Sequence, residues 1–263
     1  MDFKFKKKFG QNFLKDKNLL NQIVGFSQAN KNTSVLEIGP GAGALTSEIA
    51  KIAGKVVAIE IDTELKPILT QNLMGFDNCN VVYGDFLKME ESEIKKLVGD
   101  DYIVVANLPY YITTPILFKF FEMKNKPKSL TIMVQKEYGE RMVAVAGTSE
   151  YNSLSALSSL LGTAKIVKYV PRSMFVPMPK VDSCVLHFEF NNREFDAVQA
   201  NFVRNCFSMK RKTLVNNLSH AYNIDKQKLQ GICLSVNISP MSRAEEVDVN
   251  DLLKIYSALN NHV

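Results

Sequence analysis

Asn107, Leu108, Pro109 and Tyr110 follow the apolar run Ile103-Val104-Val105-Ala106. The Asn107 side-chain oxygen and the Leu108 carbonyl can each accept one N–H of a planar exocyclic amine, aiming its lone pair at an electrophile. Pro109 has no N–H and fixes its own φ, and it pushes Leu108 out of helical geometry. The backbone carbonyls of this segment are therefore expected to be free to accept. Tyr110 can stack on a base drawn out of its own stack. An adenine amine is a poor nucleophile because its lone pair is delocalised into the ring, so a catalyst must favour the pyramidal nitrogen that forms during attack. No strong base is needed, since the resulting ammonium is acidic. His187, His220 and His262 are scattered accordingly. The plain alternative is a strand-to-loop turn with an Asn cap and a packed tyrosine.

The segment VLEIGPGAGALT, residues 35 to 46, places Gly39, Gly41 and Gly43 between an apolar run and a helical pattern. Such a turn lets a ligand approach main-chain N–H groups closely. Glu60 closes the next apolar run, where an acid can accept both hydroxyls of a ribose. Together they indicate an adenosine-containing cofactor. Gly39, Gly41 and Ala44 also satisfy the dinucleotide pattern GxGxxG/A. Glu37, Gly43 and the Gly84-Asp85-Phe86 segment fit S-adenosylmethionine better. Asp85 would accept from the adenine amine and Phe86 would lie against the base.

These residues must be held by strands. Candidate strands are 34–39, 55–61, 80–85, 102–107, 129–135, 165–170 and 182–190, most of them separated by helix-length segments. That alternation predicts an α/β fold with a mostly parallel, doubly wound sheet. In such sheets ligands bind at the carboxyl ends of the strands, where Asn107 would sit. The connection 171–180 leaves no room for a crossover helix, so the last two strands should form an antiparallel pair at one edge. After Phe190 the spacing turns helical in FDAVQANFVRNCFSM, KTLVNNLSHAY and VNDLLKIYSAL. Two domains are expected: 1–190 for the chemistry and 191–263 as a small all-helical domain.

The 263 residues are 46% hydrophobic and 22% charged, with a net charge of +5, as for a globular protein leaning toward an anionic partner. Cys79, Cys184, Cys206 and Cys233 form no CxxC pair, which predicts free thiols and no metal site. No apolar run reaches membrane-spanning length and the first residues are too charged for a signal peptide, so a cytoplasmic protein is expected.

FGQNFL (9–14), EIGPGAGALT (37–46), NLPYYITTPI (107–116), MVQKE (133–137), FVPMPKVDS (175–183) and KRKTLVNNL (210–218) resemble the small-subunit ribosomal RNA adenine N6,N6-dimethyltransferases, in family order and over nearly the whole chain. The resemblance implies a Rossmann-like class I methyltransferase sheet of seven strands and dimethylation of two adjacent adenosines in a hairpin loop near the 3′ end of the small-subunit RNA. It implies that Asn12 and Leu14 close over S-adenosylmethionine. Gly39, Gly41, Glu60 and Ile61 would hold its methionine and ribose parts, and Asp85 and Phe86 its adenine. Asn107 would border the cofactor and orient the target amine. Phe175 is expected to be the second aromatic sandwiching the target base opposite Tyr110. Many relatives carry a glycine and a basic residue where this chain has Asn152 and Ser153, which questions one RNA or helix contact.

Lys4, Lys6, Lys7 and Lys8 form one basic cluster, and Arg204, Lys210, Arg211 and Lys212 another. Such residues supply phosphate contacts without sequence information. Paired with a pocket for one unpaired adenine, they favour structured RNA with a splayed loop. The resemblance implies that this RNA is that of the immature small subunit, and a monomeric enzyme is expected. The competing readings are a macrolide-resistance methylase acting on large-subunit RNA, a non-catalytic assembly factor, and a nicotinamide oxidoreductase. The last gives Asn107–Tyr110 no role.

Overall fold

The computed structural model describes residues 13, 14 and 16–261. Its strands are β1 (Phe13–Leu14), β2 (Ser34–Ile38), β3 (Lys55–Glu60), β4 (Cys79–Tyr83), β5 (Tyr102–Asn107), β6 (Ser129–Gln135), β7 (Gly162–Val170), β8 (Phe175–Val176) and β9 (Ser183–Phe190). Its helices are α1 (Lys17–Phe26), α2 (Ala44–Ile52), α3 (Lys66–Asn72), α4 (Glu91–Val98), α5 (Thr113–Glu122), α6 (Lys136–Val143), α7 (Ser153–Leu161), α8 (Ala197–Cys206), α9 (Leu214–Tyr222), α10 (Lys226–Ser235) and α11 (Val249–Asn261).

Seven strands form one sheet in the order β4-β3-β2-β5-β6-β9-β7. The pairs β4/β3, β3/β2, β2/β5 and β5/β6 are parallel, and β6/β9 is antiparallel. The apolar runs of β2, β3, β5 and β6 are almost continuously buried, as strands covered on both faces must be. The outer strands β4 and β7 are partly exposed. The late strand β9 inserts between β6 and β7, so the last two strands are neighbours at one edge, as expected. The two-residue strands β1 and β8, too short to leave a periodic signal, form a separate antiparallel pair in which Leu14 faces Phe175.

The chain divides into two compact units, Met1–Gly139 with Lys165–Phe190, and Glu140–Ala164 with Asn191–Val263. The second unit thus takes in α7 as well as the helices after residue 190. The reason is packing that sequence order hides: α7 lies against α8, and the Asn191 amide donates to the Leu161 carbonyl at 2.9 Å. Asn152 is the N-cap of α7, its side chain accepting from the Leu154 N–H at 2.8 Å. Asn152 and Ser153 thus start this helix. Phe202, Leu214, Leu218, Leu229, Ile232 and Leu252 are among the side chains that fill the second unit's core.

All four cysteines are free, and Cys184, Cys206 and Cys233 are buried. Among the described residues no helix is long and apolar enough to cross a membrane, and no group of three His, Cys, Asp or Glu could hold a metal ion.

Candidate active site

The carboxyl ends of β2, β3, β4 and β5 meet at one edge of the sheet, and the turns leaving them enclose a cavity of about 250 Å³. After β2, the Gly39 N–H continues the ladder to the Ile59 carbonyl at 2.9 Å. The chain then turns through Gly39, Gly41 and Gly43 at φ of 70°, 59° and 84°. Side-chain-bearing residues rarely adopt this left-handed backbone. At Gly43 there is also little room, because a Cβ would come 3.2 Å from Leu69. Gly43 is the N-cap of α2 and offers no side-chain cap.

Glu60 ends β3 at 4% exposure. Its carboxylate accepts from the Gly41 N–H at 3.1 Å and the Asp62 N–H at 2.8 Å, which ties the glycine turn to the neighbouring strand. Burial raises its pKa against these two donors, which pull it down. Asp85 caps a short 3-10 turn after β4 by accepting from the Leu87 N–H at 3.0 Å. Lys119 braces that turn, its Nζ donating to the Leu87 and Met89 carbonyls. Phe86 packs on Phe120 with ring centroids 5.2 Å apart and also borders the cavity.

Asn107 closes β5 at the same edge. The Leu108 N–H donates to the Met133 carbonyl at 3.3 Å. The Pro109 carbonyl accepts from the Ile112 N–H and the Thr113 hydroxyl, both at 3.2 Å, so this carbonyl is not free as the sequence suggested. Those bonds start the 3-10 turn Tyr110–Ile112. The Tyr110 hydroxyl lies 2.6 Å from the Ser183 hydroxyl at the start of β9. Burial raises the Tyr110 pKa, partly offset by that bond, so its hydroxyl stays protonated.

Of the residues singled out in the sequence, Leu14, Gly39, Gly41, Glu60, Ile61, Asp85, Phe86, Asn107, Leu108, Pro109 and Tyr110 all border this one cavity. Asn12, Lys7, Lys8 and the rest of the first basic cluster lie outside the described residues. Phe175 is 2% exposed, packs in the core with Leu14 and Val170, and does not border the cavity. Tyr111, 56% exposed, borders the cavity and was not singled out, although it directly follows Tyr110. Glu37, which with Gly43 and Gly84-Asp85-Phe86 favoured S-adenosylmethionine over a dinucleotide, is 1% exposed and also lines the cavity. Leu20 reaches it from α1, and helical spacing alone marks that residue simply as core.

Arg204, Lys210, Arg211 and Lys212 are exposed at the end of α8 and on the loop before α9. Asn217, 1% exposed, shapes that loop by accepting from the Met209 N–H at 2.9 Å and the Ser208 hydroxyl at 3.2 Å. Arg211 adopts φ of 70°, which turns the chain between the two lysines.

The family model described as ribosomal RNA adenine dimethylase matches residues 2–261. Ribosomal RNA small subunit methyltransferase A of Bacillus cytotoxicus is 42% identical, the match covering 99% of this chain and 93% of the relative. The protein of the same name from Bacillus thuringiensis is similar to the same degree over the same shares. Among solved structures, a dimethyladenosine transferase from Plasmodium falciparum matches with a TM-score of 0.80 at 30% identity, over 95% of this chain and 98% of that one. The 23S rRNA methyltransferase ErmE matches with a TM-score of 0.73 at 25% identity, over 95% and 100%. With this match over almost its full length, and with the glycine turn, the acids and Asn107 around one cavity, the chain belongs to the ribosomal RNA adenine dimethylase family.

Proposed function

We propose that this protein transfers methyl groups from S-adenosylmethionine to N6 of two adjacent adenosines in a hairpin loop near the 3′ end of small-subunit (16S) ribosomal RNA. The product is N6,N6-dimethyladenosine, formed during small-subunit assembly. The observation that carries this reading is the shared cavity: Asn107, Leu108 and Tyr110 border the same space as the glycine turn, Glu60 and Asp85.

The lining suits a cofactor of net positive charge, because Glu37, Glu60 and Asp85 border the cavity and none of its described lining residues is Lys, Arg or His. Glu60 would hold the ribose hydroxyls and Asp85 the adenine amine, with Ile61 and Phe86 beside the ring and Leu14 over it. When bound, the cofactor supplies an electrophilic methyl group. The Asn107 side-chain oxygen and the Leu108 carbonyl accept the N–H groups of the target amine, and Tyr110 offers a face for the base. These acceptors stabilise the pyramidal nitrogen as the N–C bond forms, and the proton then leaves to water or to a carbonyl. The loop of Lys210, Arg211 and Lys212, with Arg204, would contact RNA phosphates and contribute affinity rather than sequence choice. Such an enzyme would act in the cytoplasm, as a monomer, on immature 30S subunits.

The test supplies labelled S-adenosylmethionine to unmethylated small subunits and, separately, to large subunits, followed by mass analysis of the nucleosides. Dimethyladenosine confined to small-subunit RNA is the expected result. Label confined to large-subunit RNA would assign the chain to the 23S methylases, and no label in either would leave a binding factor.

A further inference from the structure

The three carboxyls of the cavity are not equivalent. Glu60 accepts from two backbone N–H groups and Asp85 from one, so each has a donor in place for its charged form. Glu37 sits one strand away on β2, is 1% exposed, and its Oε2 has no hydrogen-bond partner. Thr46 on α2 lies beside it, yet its own hydroxyl is also without a hydrogen bond of full geometry. A buried carboxylate short of donors is costly, and in such a place the group keeps its proton.

We propose that Glu37 is the residue by which the cavity selects a cationic ligand: its side chain is neutral while the cavity lacks a cation, and it gives up its proton when the positively charged methyl donor binds. This rests on the S-adenosylmethionine reading above. The carboxyl O–H bond breaks, the proton passes to solvent buffer, and the carboxylate remains beside the ligand's positive charge.

The surroundings favour this exchange. Burial pushes Glu37 up to about 8; the Thr46 hydroxyl offsets part of the shift, and the charge of Glu60 adds to it. On β4, the Cys79 thiol is pushed up to about 11, chiefly by burial, so it stays protonated and supplies no counter-charge. Across the cavity, Asp85 and Tyr111 bring one further negative charge and a protonated phenol. None of the described lining residues carries a positive charge, so the cation must come from the ligand.

The test is titration calorimetry of the full-length protein with S-adenosylmethionine in buffers of different ionisation enthalpy. It is done at about pH 6.5, below the roughly 7.7–8.0 at which an α-amine such as the ligand's own titrates. The wild-type protein should release roughly one proton per ligand bound, and its affinity should rise up to about tenfold per pH unit between about pH 6 and 7. Glu37→Gln keeps the shape without the proton, so its heats should be independent of buffer and its affinity flat with pH. Infrared difference spectra of the wild-type protein, which need no variant, should show a protonated-carboxyl C=O band lost on binding. Buffer-independent heats in a wild-type protein that binds normally, or unchanged proton release in Glu37→Gln, would overturn the assignment of Glu37 and leave the cofactor reading standing. No binding heat at all in the wild type would overturn both.

Discussion

The hydroxyls of Tyr110 and Ser183 lie 2.6 Å apart, joining the loop that leaves β5 to the first residue of β9. Ser183 is fully buried, so Tyr110→Phe leaves its hydroxyl without that partner. The variant should lose about 1 kcal/mol of stability, the usual net worth of such a bond, read from urea unfolding. Because the bond also orients the ring at the cavity, single-turnover methylation should slow several-fold while cofactor affinity is retained. Equal rates for Tyr110→Phe and the wild type would show that the ring is positioned by packing alone.

Asn107 supplies an acceptor needed only as the amine nitrogen pyramidalises, so its loss should fall on turnover. Asn107→Ala is expected to lower kcat by about 10²-fold or more, in line with the removal of one preorganised group at a transition state. RNA affinity should stay within about twofold, because phosphate contacts dominate it. A filter-binding assay beside the methylation assay separates the two, and joint loss would count against the role given to Asn107.

Glu37 also predicts a pH dependence of folding. Its folded pKa of about 8 lies above the ordinary carboxylate value, so between these limits the folded state binds more protons than the unfolded state. Its contribution to stability is therefore present at acid pH and is lost as pH rises through that window, by at most about 1.4 kcal/mol per unit. Glu37→Gln should be more stable than the wild type near the alkaline end and gain little near pH 5. Denaturant melts across this range check the sign.

The loop braced by Asn217 carries Lys210 and Lys212 on either side of Arg211. Replacing both lysines with alanine should weaken RNA binding similarly for matched and unmatched sequences, and reduce the slope of log affinity against log salt by about two. An unchanged slope would remove this loop from the RNA contacts.

The sequence by itself determined the strands and the chemistry. The apolar runs predicted at 102–107 and 129–135 coincide with β5 and β6, because strands buried on both faces leave continuous apolar runs, and the other five main strands end within a few residues of expectation. Gly39, Glu60, Asp85 and Asn107 were legible because each stands where an apolar run stops, and parallel strands bring such endings to one edge. Tertiary structure alone decided what depended on distant partners. It paired β8, whose Phe175 is buried, with β1 through a two-residue contact between segments far apart in the chain. It drew α7 into the helical unit through packing on α8, and it seated Tyr110 against Ser183 across the sheet. It also left Glu37 buried with its Oε2 unpartnered, a state set by the groups around it rather than by its position in the glycine segment. Local periodicity records what each residue buries; which residue covers it is fixed only when the chain closes on itself.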